Sequence, residues 1–196
     1  MLKKILDKRN YIILFIIIIL IIWIIWIVFF HKNEPYMETF NYYGEDITFR
    51  VYDKVDHKKL TKDIDNIYKK YEDVDNLSGE VDEDEKSLIE YGKIAYYKTY
   101  GYIDITSGEL LKHLKNNEEY DFKSEIENVI VEDDKLVNDI NFNFDNIIGS
   151  YATNDVLYYF KQNDIKKYIV NENGDVTTGD YYDNGKYTVS INNPNT

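Results

Sequence analysis

The sequence predicts an α+β fold, a mixed sheet with packed helices, preceded by one transmembrane helix. Three observations carry this reading: a twenty-residue apolar run near the start, amphipathic helical stripes beyond it, and short alternating strands bounded by Asn-Gly-type turns. Strands and helices follow one another without strict alternation, the pattern of an α+β domain, and neither an internal repeat nor a low-complexity tract is present.

The apolar run, Tyr11 to Phe30, holds no charge, no Gly and no Pro. At a rise of about 1.5 Å per residue it spans roughly 30 Å, the hydrocarbon thickness of a bilayer. A cleavable signal would be shorter and end in small residues, whereas Phe29-Phe30-His31-Lys32-Asn33 follows here, so the run reads as an uncleaved anchor. Lys3, Lys4, Lys8 and Arg9 against Asp7 place the N-terminus in the cytoplasm and the remainder outside. The expected organisation is a cytoplasmic basic leader (1–10), a single-pass membrane helix (11–30), a connector (31–40) and an extracytoplasmic domain (41–196).

In the outer part, Ile47, Phe49 and Val51 alternate with polar residues and predict the strand that opens the domain. Leu60, Ile64, Ile67, Tyr68, Tyr71 and Val74 fall at helical spacing and predict a helix from Lys58 to Val74. A second helix is expected from Asp84 to Tyr100, with Leu88, Gly92, Ala95 and Thr99 on one side and a left-handed cap at Gly101. A short third helix follows Gly108. Asn128 to Val131, a turn at Asp133-Asp134, and the alternation Ile140, Phe142, Phe144 read as a hairpin leading into a further strand. Ala152, Val156, Tyr159 and Phe160 make Ser150 to Gln162 helical. Tyr168 to Asn171 is a strand ending at Asn173-Gly174-Asp175, and a second turn at Asp183-Asn184-Gly185 joins Val176–Thr178 to Lys186–Ile191.

Composition narrows function. The 23 basic and 36 acidic residues give a net charge of -13, and setting the leader aside leaves 19 against 35, a net of -16. Such a field repels nucleic acid and anionic lipid surfaces. With no cysteine, disulfides, thiolate metal sites and cysteine nucleophiles are excluded. P-loops, dinucleotide Gly-rich fingerprints, paired-His zinc helices and Gly-x-Ser-x-Gly elbows are all missing. His31, His57 and His113 are expected to face solvent, and Asp82-Glu83-Asp84-Glu85 to complement the positive end of a helix dipole. The 20 tyrosines, spread along the chain, read as amphipathic core-edge residues.

Two segments say more: Gly101-Tyr102-Ile103-Asp104-Ile105-Thr106-Ser107-Gly108-Glu109-Leu110, and the stretch from Phe142 through Gly149, Tyr151 and Ala152 to Asn171 and Gly174-Asp175. In order and spacing the chain resembles the FAD:protein FMN transferase (ApbE) family, which carries an Asp-Ile-Thr-x-Gly-x-Leu segment, then Ala-Lys-Gly-Tyr-Ala at a helix start, then Val-Asn-x-Gly-Gly-Asp. The likeness runs from about Glu38 to Pro194. It implies a partial ApbE-like domain with FAD as substrate, Mg2+ as family cofactor, and FMN transfer to a Ser or Thr of an acceptor protein. The implied flavin-binding residues are Asp104, Thr106, Gly108, Gly149, Ser150, Tyr151, Asn171, Gly174 and Asp175; catalytic residues stay unassigned and no metal ligand is identified.

Thr106 and Gly108, and the helix start at Gly149-Ser150, are expected to expose backbone N–H groups to phosphate, with Asn171 and Asp175 facing ribose or a flavin edge. Departures weaken the site. Ile148-Gly149-Ser150 replaces Ala-Lys-Gly, removing the family lysine, and Asn173-Gly174-Asp175 replaces Gly-Gly-Asp. The family's Ser-Glu-Leu stretch has no counterpart after Leu77-Ser78-Gly79, and its magnesium-binding Asp and Thr, with a His-containing segment, lie beyond the point corresponding to Thr196. The expectation is a membrane-anchored flavin transferase-like protein with little activity as this chain alone. The alternatives are a non-catalytic flavin- or partner-binding module and a fragment of an interrupted gene.

Overall fold

A computed structural model describes residues 11, 13–25, 34–180 and 187. The chain divides into two compact units, Met1–Pro35 and Tyr36–Thr196. In the first, residues 13–25 are helical and their side chains are exposed. The expected membrane span falls only partly within the described residues, and among these no helix is long and apolar enough to cross a membrane. The basic leader lies outside them. So do the turn Asp183-Asn184-Gly185, the strand expected at Lys186–Ile191 apart from Tyr187, and Pro194.

The second unit opens with β1 (Tyr36–Tyr42) and β2 (Glu45–Val51), followed by α1 (His57–Lys69), a 3-10 turn at Val74–Asn76, α2 (Glu83–Lys98) and α3 (Gly108–Lys115). A second 3-10 turn (Ile126–Asn128), the short hairpin β3 (Val131–Glu132) and β4 (Lys135–Leu136), α4 (Ile148–Gln162), β5 (Tyr168–Glu172) and β6 (Asp175–Thr178) complete it. The first strand thus lies largely in the stretch read as connector. Tyr36, Glu38, Phe40 and Tyr42 alternate with Met37, Thr39 and Asn41, but Glu38 on the inward register masked the period.

The main sheet has the order β1-β2-β5-β6. Every described pair in it is antiparallel, which corrects the expected mixed sheet. The reason is local. Tyr43-Gly44 and Asn173-Gly174 take positive φ at both central positions (55° and 79°; 46° and 105°), the two-residue turn that joins only antiparallel neighbours. At the far end of β2, the Asp53 carboxylate accepts the Lys166 and Lys167 N–H groups at 2.6 and 2.7 Å, so β5 starts where β2 finishes.

One sheet face carries Ile47, Phe49, Val51 and Val170 against α1 (Leu60, Ile64, Tyr68) and α4 (Ala152, Val156, Phe160). Phe49 sits edge-on to Phe160 and Phe40, with ring centroids 6.1 and 5.9 Å away. Helix α1 ends at Lys69, short of the expected Val74. Tyr71 and Val74 are buried all the same, on turn backbone. Helix α2 begins with a capping box in which Asp82 accepts from the Asp84 and Glu85 N–H groups while the Glu85 carboxylate accepts from the Asp82 N–H. Its left-handed ending starts one residue before Gly101, at Tyr100 (φ 55°), and Gly101 N–H returns to the Tyr96 carbonyl at 2.9 Å.

The alternation Ile140, Phe142, Phe144 does bury those three side chains, yet the segment is not a strand. Its backbone pairs singly with the 105–108 turn, Gly108 N–H to the Asn141 carbonyl at 3.0 Å and Asn143 N–H to the Ile105 carbonyl at 2.9 Å. Nor does His113 simply face solvent. Its Nδ1 lies 2.6 Å from Glu118, its Nε2 lies 3.3 Å from Glu109, and its ring stacks on Tyr120.

Phe49 is fully buried where sheet, α1 and α4 meet, so Phe49→Ala should cost about 3–5 kcal/mol of unfolding free energy in a urea titration. A loss below about 1 kcal/mol would show that this contact is not the core.

Candidate functional site

The two sequence segments meet different fates. In the first, the Asp104 carboxylate folds back on its own turn, its Oδ1 accepting Thr106 N–H at 2.8 Å and Thr106 O–H at 2.7 Å. Thr106 Oγ1 also accepts Glu125 N–H at 3.0 Å. Ser107 N–H donates to the Asp104 carbonyl, and Gly108 N–H to that of Asn141. The amides expected to face phosphate are therefore consumed within the protein. Gly108 is required for another reason: a Cβ there would lie 2.6 Å from the Asn141 and Phe142 carbonyl oxygens. Asp104 and Thr106 are buried, and Asp104 Oδ2 is a buried oxygen with no hydrogen-bond partner among the described residues.

The second segment builds an open cleft. Helix α4 starts beside the β5–β6 turn, and Glu45, Asp145, Asn146, Gly149, Ser150, Glu172, Asn173 and Asp175 line a cavity of about 320 Å³. Gly149, Ser150 and Asp175 of the expected set thus converge. Asn171 and Gly174 do not line it; Asn171 Oδ1 accepts Gly174 N–H at 3.0 Å within the β5–β6 turn. Tyr151 turns away, to rings of Tyr71 and Tyr91 at 5.5 and 5.3 Å. The Gly149 and Ser150 N–H groups, in the first turn of α4, have no protein acceptor among the described residues. They leave the positive end of the helix dipole facing the cleft.

Sequence reading missed Glu45, Asp145, Asn146, Glu172 and Asn173. Glu172 is the variable position of the Val-Asn-x segment, and Glu45 comes from a strand that lies far off in sequence. The cleft holds four carboxylates and no basic side chain. Burial, then Glu45 and Asp175, push the Glu172 carboxyl above its ordinary value, while a hydrogen bond from Thr153 pulls it down. Asn143 ties the two segments together, its Nδ2 donating to Ser107 Oγ (3.2 Å) and its Oδ1 accepting Asp145 N–H (3.1 Å).

A larger cavity of about 460 Å³ lies at the other end of β5, lined by Leu157, Lys161, Ile165, Tyr168 and Gly179 among others. It contains none of the expected flavin-binding residues, and the α4 cleft is the better candidate because the free amides of the α4 start and the β5–β6 turn converge there.

The sequence matches the ApbE family over residues 43–196. The chain belongs to the ApbE family. Solved structures agree in fold. The flavin transferase ApbE from Vibrio cholerae superposes with a TM-score of 0.67 at 16% identity, covering 82% of this chain and 64% of that one. The apo flavinyl transferase ApbE of Pseudomonas stutzeri gives 0.66 at 15%, covering 81% and 66%. The ApbE protein of Thermotoga maritima gives 0.60 at 17%, covering 76% and 60%. The chain spans 60–66% of the length of these three ApbE proteins. No curated protein matches the sequence.

Two partly desolvated carboxyls, Asp75 and Glu172, make the stability of this ApbE domain pH-dependent. Desolvation raises Asp75, whose carboxylate accepts Phe144 N–H at 2.9 Å, and it raises Glu172. Both are harder to ionise folded than unfolded, so stability is lost as pH rises from ordinary carboxylate values through the raised ones. Asp63 and Asp65 are lowered by Lys59 and Lys69, but these exposed pairs contribute little, and that contribution is lost only as pH falls below the ordinary value of 3.8. The melting temperature should therefore fall as pH rises above the ordinary carboxylate values of 3.8 and 4.5, with a flatter profile in Asp75→Asn. A steady rise over that window would contradict the assignment.

Proposed function

We propose that this ApbE-family chain is a membrane-anchored, extracytoplasmic flavin transferase-like protein that takes flavin into the cleft between α4 and the β5–β6 turn. The observation that carries the reading is the convergence of Gly149-Ser150 with Glu172, Asn173 and Asp175 on one cavity in a chain of this family. Free N–H groups at the α4 start, the Ser150 hydroxyl and the Asn146 and Asn173 amides supply neutral hydrogen-bonding partners for ring and ribose. The substrate in this reading is FAD, the product FMN esterified to a Ser or Thr of a separate acceptor protein.

Among the described residues no group of three or more His, Asp or Glu side chains is arranged to hold a metal ion, so no step is assigned to Mg2+ here. The diphosphate fits poorly, because Gly149 stands at the family lysine and four carboxylates share the cleft. Charge neutralisation is the main catalytic device in phosphoryl-type transfer, so these residues alone support binding better than turnover. A non-catalytic flavin-binding role is the second reading, and the all-acidic lining favours it.

Fluorescence titration of the outer domain should show FAD binding in the tens of micromolar or weaker on the usual affinity scale. It should tighten as salt screens the repulsion, with little FMN transfer in Mg2+. Nanomolar binding with turnover would restore a full enzyme; absence of any binding of FAD or riboflavin would remove the flavin reading. The anchor is tested separately: protease added to intact cells should digest the domain while sparing a cytoplasmic marker. Protection of the domain when an outer marker is cut would overturn the topology.

A further inference from the structure

Glu172 occupies the space that a side chain at position 149 would need. A Cβ built on Gly149 would lie 2.1 Å from Glu172 Oε1 and 3.7 Å from Glu45 Oε2. The carboxylate is fixed there. Its Oε2 accepts the Thr153 hydroxyl at 3.0 Å, and Thr153 Oγ1 in turn meets the Tyr68 phenol at 2.7 Å. Tyr68 and Thr153 are both buried, so this three-member chain runs from the core to the cleft. The backbone holds Glu172 from two sides as well, opposite Ile47 on β2 and Asp175 on β6. Facing it are Glu45 at the start of β2, Asp145 before α4, Asp175 on β6, and the phenols of Tyr43 and Tyr68. None of these supplies positive charge.

We propose that Glu172 is a specificity-determining residue: its carboxylate, lodged against the first turn of α4, rejects phosphate groups and admits the uncharged, ring-bearing part of a flavin. The proposal rests on the flavin reading above and adds the discrimination made at that site. An anion arriving at the free Gly149 and Ser150 amides meets a resident anion, and only removal of that charge lets the helix terminus act on phosphate. Burial and the neighbouring carboxylates favour the protonated form of Glu172, so mild acid should relieve the block.

The test compares wild type with Glu172→Gln, which keeps the shape and the ability to accept from Thr153. FAD should bind the variant at least about tenfold more tightly, while riboflavin, which carries no phosphate, changes by less than about twofold. Wild-type affinity for FAD should rise as pH falls toward the raised range of the Glu172 carboxyl, and that rise should be absent in the variant. Measurable FAD binding that is equal in both proteins would overturn the role of Glu172 and leave the flavin reading standing. If neither flavin binds either protein, inorganic pyrophosphate at fixed pH decides: a gain on the variant upholds the role of Glu172 without flavin, and no gain sinks it. Should Glu172→Gln not fold, the wild-type pH series alone decides, flat FAD affinity overturning the proposal.

Discussion

The antiparallel pairing of β2 with β5 joins residues separated by more than a hundred positions, and the rest of the domain depends on it. The Asp53 carboxylate fixes one end by accepting two amides 113 and 114 positions away. The other end is closed by the register that sets Ile47 opposite Glu172. With β2 and β5 so aligned, the Asn173-Gly174 turn arrives beside Glu45 and the first turn of α4 lies against both. The cleft is a consequence of that register. A slip of one residue would carry Glu172 to the opposite sheet face and dismantle it.

Charge shapes the chain in a second way. A chain with 36 acidic and 23 basic residues has too few cations to answer all its carboxylates, and tyrosines add hydrogen bonds to several, alone or beside a lysine. The phenols of Tyr42, Tyr71 and Tyr159 donate to Asp65, Asp155 and Asp63 at 2.5–2.7 Å, and Tyr97 donates to Glu127 at 2.7 Å. Each such ring buries apolar area and spends its hydroxyl on an acid, which satisfies the carboxylate without neutralising it. No such phenol reaches the Glu45 and Asp175 carboxylates in the described contacts, and the cleft keeps its negative field. That field, more than any missing contact, sets what the site accepts.

Much of this was legible in residue patterns, and the failures have physical causes. Apolar periodicity located α1, α2 and α4 because each buries one stripe, and Asn173-Gly174 announced its hairpin through the left-handed backbone it demands. Strand β1 was hidden because an edge strand needs little apolar alternation. Ile140, Phe142 and Phe144 misled because burying alternate side chains requires an extended chain but not a ladder. The motif order pointed to Gly149, Ser150 and Asp175, which share the cleft, and to Thr106 and Gly108, whose amides are spent on local turns. Glu45 and Glu172 were invisible, since their meeting is made by the sheet register and not by spacing along the chain.

The central claim is that flavin enters the α4 cleft, and the most direct measurement is a residue-resolved amide NMR titration of the outer domain with riboflavin. The account predicts shifts concentrated at Gly149, Ser150, Glu172, Asn173 and Gly174, with Thr106 and Gly108 nearly unmoved. Shifts centred instead on Lys161, Ile165 and Tyr168, around the larger cavity at the far end of β5, would contradict it.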